Sequence, residues 1–172
     1  VASNGFRGDS KGTNMGMYVS VSVKSDTGRP SDYWFENSVF FDRLKTTGIG
    51  QKALERTLQK IDPKKIASGK YKVIIENRTA GRIANPLYDA LTGSSIYQKQ
   101  SFLIGKQNKQ VTSPILTIND DPLIPSAPGS RLFDNEGLAA VKRPVIENGV
   151  LRNYYIDNYY GRKLDMRPTS GS

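Results

Sequence analysis

Four carboxylates, Asp120, Asp121, Asp134 and Glu136, flank one loop that Pro122, Pro125 and Pro128 stiffen. Carboxylates grouped in this way can bind a hard cation or work as a general acid/base pair. On an extended segment Asp134 and Glu136 fall on the same side, because side chains alternate along a strand. Their spacing follows no established loop code such as that of the EF-hand. The competing reading assigns the same acids to Asx turns and caps. Ser101, with Lys99 or Lys106, supplies the residue types of a Ser-Lys dyad, but no spacing motif supports that chemistry.

The absent residue types narrow the chemistry further. None of the 172 residues is Cys or His. That removes thiolate nucleophiles, disulfides, imidazole zinc sites and any Ser-His-Asp triad. A metal held by this chain would need oxygen ligands. The formal charge of +9 fits an acidic partner such as nucleic acid, although the basic residues are scattered, with no basic run longer than pairs such as Lys64-Lys65 and Lys142-Arg143. No apolar run is long enough to span a bilayer, and the start has no apolar core of a secretory signal. A cytoplasmic protein with no membrane partner is therefore expected. The chain starts at Val1 rather than Met, so a piece of a longer protein is expected.

The elements that must position these groups read as α+β. Met17, Val19, Val21 and Val23 alternate with polar residues, predicting a half-buried strand. A turn at Asp26-Thr27-Gly28-Arg29-Pro30 leads to an aromatic second strand through Tyr33, Trp34 and Phe35 and on to Phe41, giving a hairpin. Thr47 to Ile61 has a helical stripe of Ile49, Ala53, Leu54, Thr57, Leu58 and Ile61. Tyr71 to Glu76 reads as an apolar-centred strand. Thr79 to Thr92 reads as one helix or two, with Asn85 and Pro86 starting the second and Gly93 following its end. Ile115 to Ile118 predicts a strand entering the acidic loop. Leu138 to Ile146 and Val150 to Ile156 predict a hairpin turned by Asn148-Gly149, since both residues accept positive φ. Tyr154, Tyr155, Tyr159 and Tyr160 form an aromatic cluster. The length suits a single domain over 1–172, with helices on one side of a largely antiparallel sheet.

Several segments together resemble the TldD/PmbA family, metalloproteases once called modulators of DNA gyrase. They are Ser101-Phe102 with Gly105, Thr117 to Pro122, Phe133-Asp134-Asn135-Glu136-Gly137, Val145 to Leu151, and Arg162-Lys163-Leu164 with Thr169. In the TldD branch a helix bears H-E-x-x-x-H, the histidines binding a metal and the Glu activating its water. With Leu91 and Gly93 as anchors, the histidine positions fall on Ala84 and Asp89, and the Glu position on Asn85. The resemblance is thus to the PmbA branch, also called TldE, which lacks the metal site and pairs with TldD around a shared peptide-processing cavity. It implies a subunit with no catalytic, cofactor-binding or metal-binding residue of its own and no cofactor. Its partners would be a TldD-like protease subunit or a second copy, with an extended or unfolded peptide as substrate. The alternative is a nucleic-acid-associated basic binding protein.

Overall fold

The computed structural model describes residue 3 and residues 5–169. The chain forms two compact units, one built from Lys11–Lys72 and the other mainly from Val73–Pro125 with the residues from Gly129 onward.

In the first unit, β1 (Met15–Ser22) and β2 (Ser31–Ser38) pair antiparallel, with Val19 opposite Trp34 and Val21 opposite Asp32. The alternation along β1 produces this directly: one face carries Val19 and Val21, the other Tyr18 and Ser20. Helix α1 (Ile49–Leu58) packs on the Val19 face through Ile49, Ala53 and Thr57, all buried. The stripe is narrower than the sequence suggests, because Leu54 and Leu58 stay largely exposed. Thr57 is held twice, its hydroxyl donating to Ala53 O at 2.8 Å and to Val21 O at 3.2 Å. Asp32, buried on β2, lies 3.3 Å from Arg56 Nε and 3.1 Å from Lys60 Nζ. Burial opposes its ionisation, but the Tyr33 amide, Lys60 and Arg56 outweigh that and hold its carboxyl below the ordinary value.

Tyr71 to Glu76, expected as a strand, forms none, and Ile74 is 99% exposed. A β-prone run becomes a strand only when a partner supplies the ladder, and among the described residues none does. Helix α2 (Asn77–Leu91) then runs unbroken through Pro86, so Asn85 caps nothing. The proline forfeits one intrahelical bond on a largely exposed stretch, where water can satisfy the freed carbonyl.

Gly93 does not terminate α2 with a positive φ; it is the first residue of α3 (Gly93–Tyr97). Thr92 makes the break, with extended backbone and a hydroxyl that accepts from Ser95 N. Gly93 is required for closeness: a Cβ there would lie 2.8 Å from Tyr160 Cβ. Its amide donates to Tyr155 O at 2.8 Å, and Tyr155 N donates back to Leu91 O at 2.9 Å.

Strands β3 (Ile118–Asp120), β4 (Arg143–Glu147) and β5 (Val150–Leu151) form an antiparallel sheet in that order. These strands are shorter than the sequence suggests. Ile115 is 93% exposed, and Ala139 bridges Phe133 within the loop instead of extending β4. The turn between β4 and β5 is as expected, with Asn148 at φ 48° and Gly149 at φ 78°. Helix α4 (Asn158–Leu164), which the aromatic cluster obscured, starts at Asp157, whose carboxylate accepts from Tyr160 N at 2.6 Å. Leu91, Leu103, Val145, Ile146, Leu151, Tyr154 and Ile156 form the core. Among the described residues, antiparallel sheets with four α-helices make the fold α+β.

Candidate functional site

Each carboxylate of the loop has a local structural job. Asp120 Oδ2 lies 3.1 Å from Arg143, directly across the β3–β4 pairing. Asp121 Oδ2 lies 2.7 Å from Lys142, and its Oδ1 accepts from Leu123 N at 3.2 Å. The hydrogen bond from Lys142 holds the Asp121 carboxyl below its ordinary value. Asp134 is buried, and its Oδ1 accepts from Glu136 N at 3.0 Å and Leu138 N at 2.9 Å. Its Oδ2 is buried with no hydrogen-bond partner. Glu136 Oε2 accepts from Asn158 N at 2.9 Å, at the first residue of α4. Asp134 and Glu136 therefore tie down turns and a helix end instead of facing a common ligand. Among the described residues, no three Asp, Glu, His or Cys side chains are placed to share a metal.

Ser101 is no nucleophile either. It is buried, donating to Ala90 O and accepting from Leu103 N at 3.0 Å, which ties α2 to the chain that follows α3.

The concave surface lies elsewhere in this unit. Ala84, Asn85, Leu87, Tyr88 and Leu91 of α2, with Ile118, Val145 and Tyr155, enclose a cavity of about 260 Å³. Two of the three positions singled out on α2, Ala84 and Asn85, line it; Asp89 does not. The donor set fails the chemistry of a zinc site, since Ala84 has no ligand atom and Asn85 is a weak one. A second cavity of about 520 Å³ is lined by Ser10, Tyr88, Asp120, Arg131, Phe133, Asp134, Asn135 and Tyr155.

Tyr88 and Tyr155 belong to both cavities. Their ring centroids are 4.8 Å apart, and the Arg143 guanidinium lies 5.2 Å over the Tyr155 ring. Burial, reinforced by the Asp120 charge and opposed by Arg143, pushes the Tyr155 phenol up to about 12. Sequence reading placed Tyr155 only in an aromatic cluster and passed over Tyr88. The available signal was spacing: Tyr88 stands one helical turn after Ala84 and one before Leu91–Thr92, on the face that α2 turns inward.

Residues 68–172 match the family model described as PmbA/TldA metallopeptidase C-terminal domain, and residues 1–61 match its central domain. The metalloprotease PmbA homolog of Haemophilus influenzae is 31% identical over 140 residues, covering 81% of this chain and 31% of the relative. A crystal structure from Bacteroides thetaiotaomicron, described as a modulator of DNA gyrase, is 42% identical with a TM-score of 0.95, over 99% of this chain and 39% of that one. A similarly described protein from Thermotoga maritima is 28% identical with a TM-score of 0.83, over 91% of this chain and 36% of that one. The chain spans about a third of the length of the relatives it matches.

Proposed function

Because the chain belongs to the PmbA/TldD metallopeptidase family, we propose that it is part of a PmbA/TldE-like subunit of a TldD/PmbA-type protease. In this reading it holds an extended or unfolded peptide and a TldD-like partner, or a second copy of itself, during proteolysis or peptide maturation in the cytoplasm. The observation that carries the proposal is α2. At the positions where the TldD branch bears its histidines and glutamate, this chain has Ala84, Asp89 and Asn85. The first and last of these residues line a largely apolar cavity. A helix that keeps its place while its metal-binding side chains are replaced suits a subunit that positions substrate for a catalytic neighbour. No helix among the described residues is long and apolar enough to cross a membrane.

The test is to incubate the full-length protein with zinc and an unfolded peptide, alone and with a TldD-type subunit. Chelator-sensitive cleavage should occur only with the partner present. Robust cleavage by the protein alone would overturn the proposal.

The nucleic-acid alternative has less support. The outward face of the β1–β2 hairpin stacks Tyr18 on Tyr33 and Tyr33 on Phe35, as a base platform would. The other outward positions are Gly16, Ser20, Ser22, Ser31 and Asn37, so no strand residue on that face is a cation for phosphate.

A further inference from the structure

A short arm, Gly5 to Ser10, lies against the acidic loop and has no helix or strand of its own. Among the described residues, Arg7 to Ser10 make no hydrogen bond and no ion pair. The arm is held through Phe6. Its ring meets the Phe133 ring edge-on, with centroids 5.0 Å apart. Glycines on two sides make room for it. A Cβ on Gly8 would lie 2.7 Å from Phe6 Cζ and 2.9 Å from Phe133 Cε1, and a Cβ on Gly137 would lie 2.7 Å from Phe6 Cδ1. Carbon atoms pack at about 3.5–4.0 Å, so a side chain at either glycine would displace the ring.

The far end of the arm reaches the cavity of about 520 Å³. Ser10 lines it, together with Tyr88, Asp120, Arg131, Phe133 and Tyr155. Phe133 is therefore both the seat of the Phe6 ring and a wall of the cavity. Backbone hydrogen bonds are what usually fix a segment, and a segment without them opens at small cost. Here one aromatic side chain sets that cost, because Arg7 and Asp9 are exposed and grip nothing. Neither Phe6 nor Phe133 belongs to the core cluster around Leu103, Ile146 and Leu151, so the ring can leave its seat without disturbing the fold.

We propose that Gly5 to Ser10 is a strap over this cavity, latched by Phe6 between Gly8, Phe133 and Gly137, and that its release opens the cavity to a ligand. The proposal concerns access, so it stands or falls independently of the peptide-holding role above.

The experiment measures modification of arginines by phenylglyoxal in the full-length protein, mapped by mass spectrometry. Arg131 lines the cavity and is half-buried. Arg162, exposed on α4, is the rate reference. Arg143, whose side chain is 11% exposed against Asp120, reports loss of the fold. Phe6→Ala removes the latch and should speed modification of Arg131 about tenfold relative to Arg162, the scale of one seated aromatic ring. Arg143 should stay protected. Gly8→Ala keeps the ring but crowds its seat, so a smaller rise at Arg131 would report the position of the strap rather than a missing side chain. Arg131 reacting no faster in Phe6→Ala than in the wild type overturns the proposal, and so does wild-type Arg131 reacting as fast as Arg162. If Phe6→Ala also exposes Arg143, that variant has lost its fold. Gly8→Ala, made on the exposed arm, then decides by the same criterion.

Discussion

The acidic loop and helix α2 reverse the roles their residue types suggest. Asp120, Asp121, Asp134 and Glu136 are the side chains most able to do chemistry, and each holds a neighbouring side chain or backbone amide in place. Ala84, Leu87 and Leu91 can do no acid/base chemistry, yet they line an open cavity. The difference lies in where polar groups can find partners. A short loop over a core must satisfy its backbone amides locally, and carboxylates are the readiest acceptors. A helix satisfies its own backbone and leaves the side chains of one face available for a ligand.

The largest effect that would sharpen this contrast is at Asp120. Asp120→Ala removes the carboxylate that faces a guanidinium whose side chain is only 11% exposed, and should cost about 2–3 kcal/mol in denaturant unfolding of the full-length protein. It also removes a negative charge that helps hold the Tyr155 phenol up. The Tyr155 pKa should therefore fall from about 12, read as tyrosinate absorbance against a Tyr155→Phe control. An unchanged stability would mean that the acid is not structural. Asp134→Ala comes next. Two loop amides lose their acceptor, and about 2 kcal/mol should be lost. A stable variant would return Asp134 to the list of purely functional groups.

The Asp32 cluster in the hairpin unit extends the comparison to pH. Its folded carboxyl sits below the ordinary value, so the stability it adds is present above the unfolded pKa of about 3.9 and lost as pH falls through the folded one. Asp32→Asn should cost about 1–2 kcal/mol at neutral pH and progressively less below about pH 4. Parallel acid limbs for variant and wild type would contradict the ion cluster.

What sequence reveals here follows from how local each requirement is. Asn148-Gly149 is legible because positive φ is a property of two residues. The β1 face is legible because alternation needs only the strand itself. Tyr71 to Glu76 misleads because pairing depends on a second segment that its own composition cannot supply. Gly93 misleads for a similar reason: its role depends on Tyr160, brought close by folding rather than by sequence. The cavity walls, Tyr88 and Tyr155, meet only once Tyr155 pairs with the end of α2. The α2 positions set against the metal-binding helix are singled out only through the resemblance, because alanine at an exposed helix position carries no signal of its own.

The smallest expected effect is the one that separates the two regions most cleanly. Ala84 is exposed on α2, and Leu has nearly the same helix propensity as Ala. Nothing in the core rests on the alanine methyl, so Ala84→Leu should change stability by no more than about 0.5 kcal/mol. The carboxylate substitutions, made beside the neighbouring cavity, should each cost several times that. A residue that stability does not require, at the mouth of a cavity, is open to replacement for binding reasons alone. If Ala84→Leu instead destabilises the protein by as much as Asp134→Ala, the alanine is a packing residue and the cavity beside it is closed in solution. The contrast between loop and helix would then fail, because both regions would be spent on holding the fold.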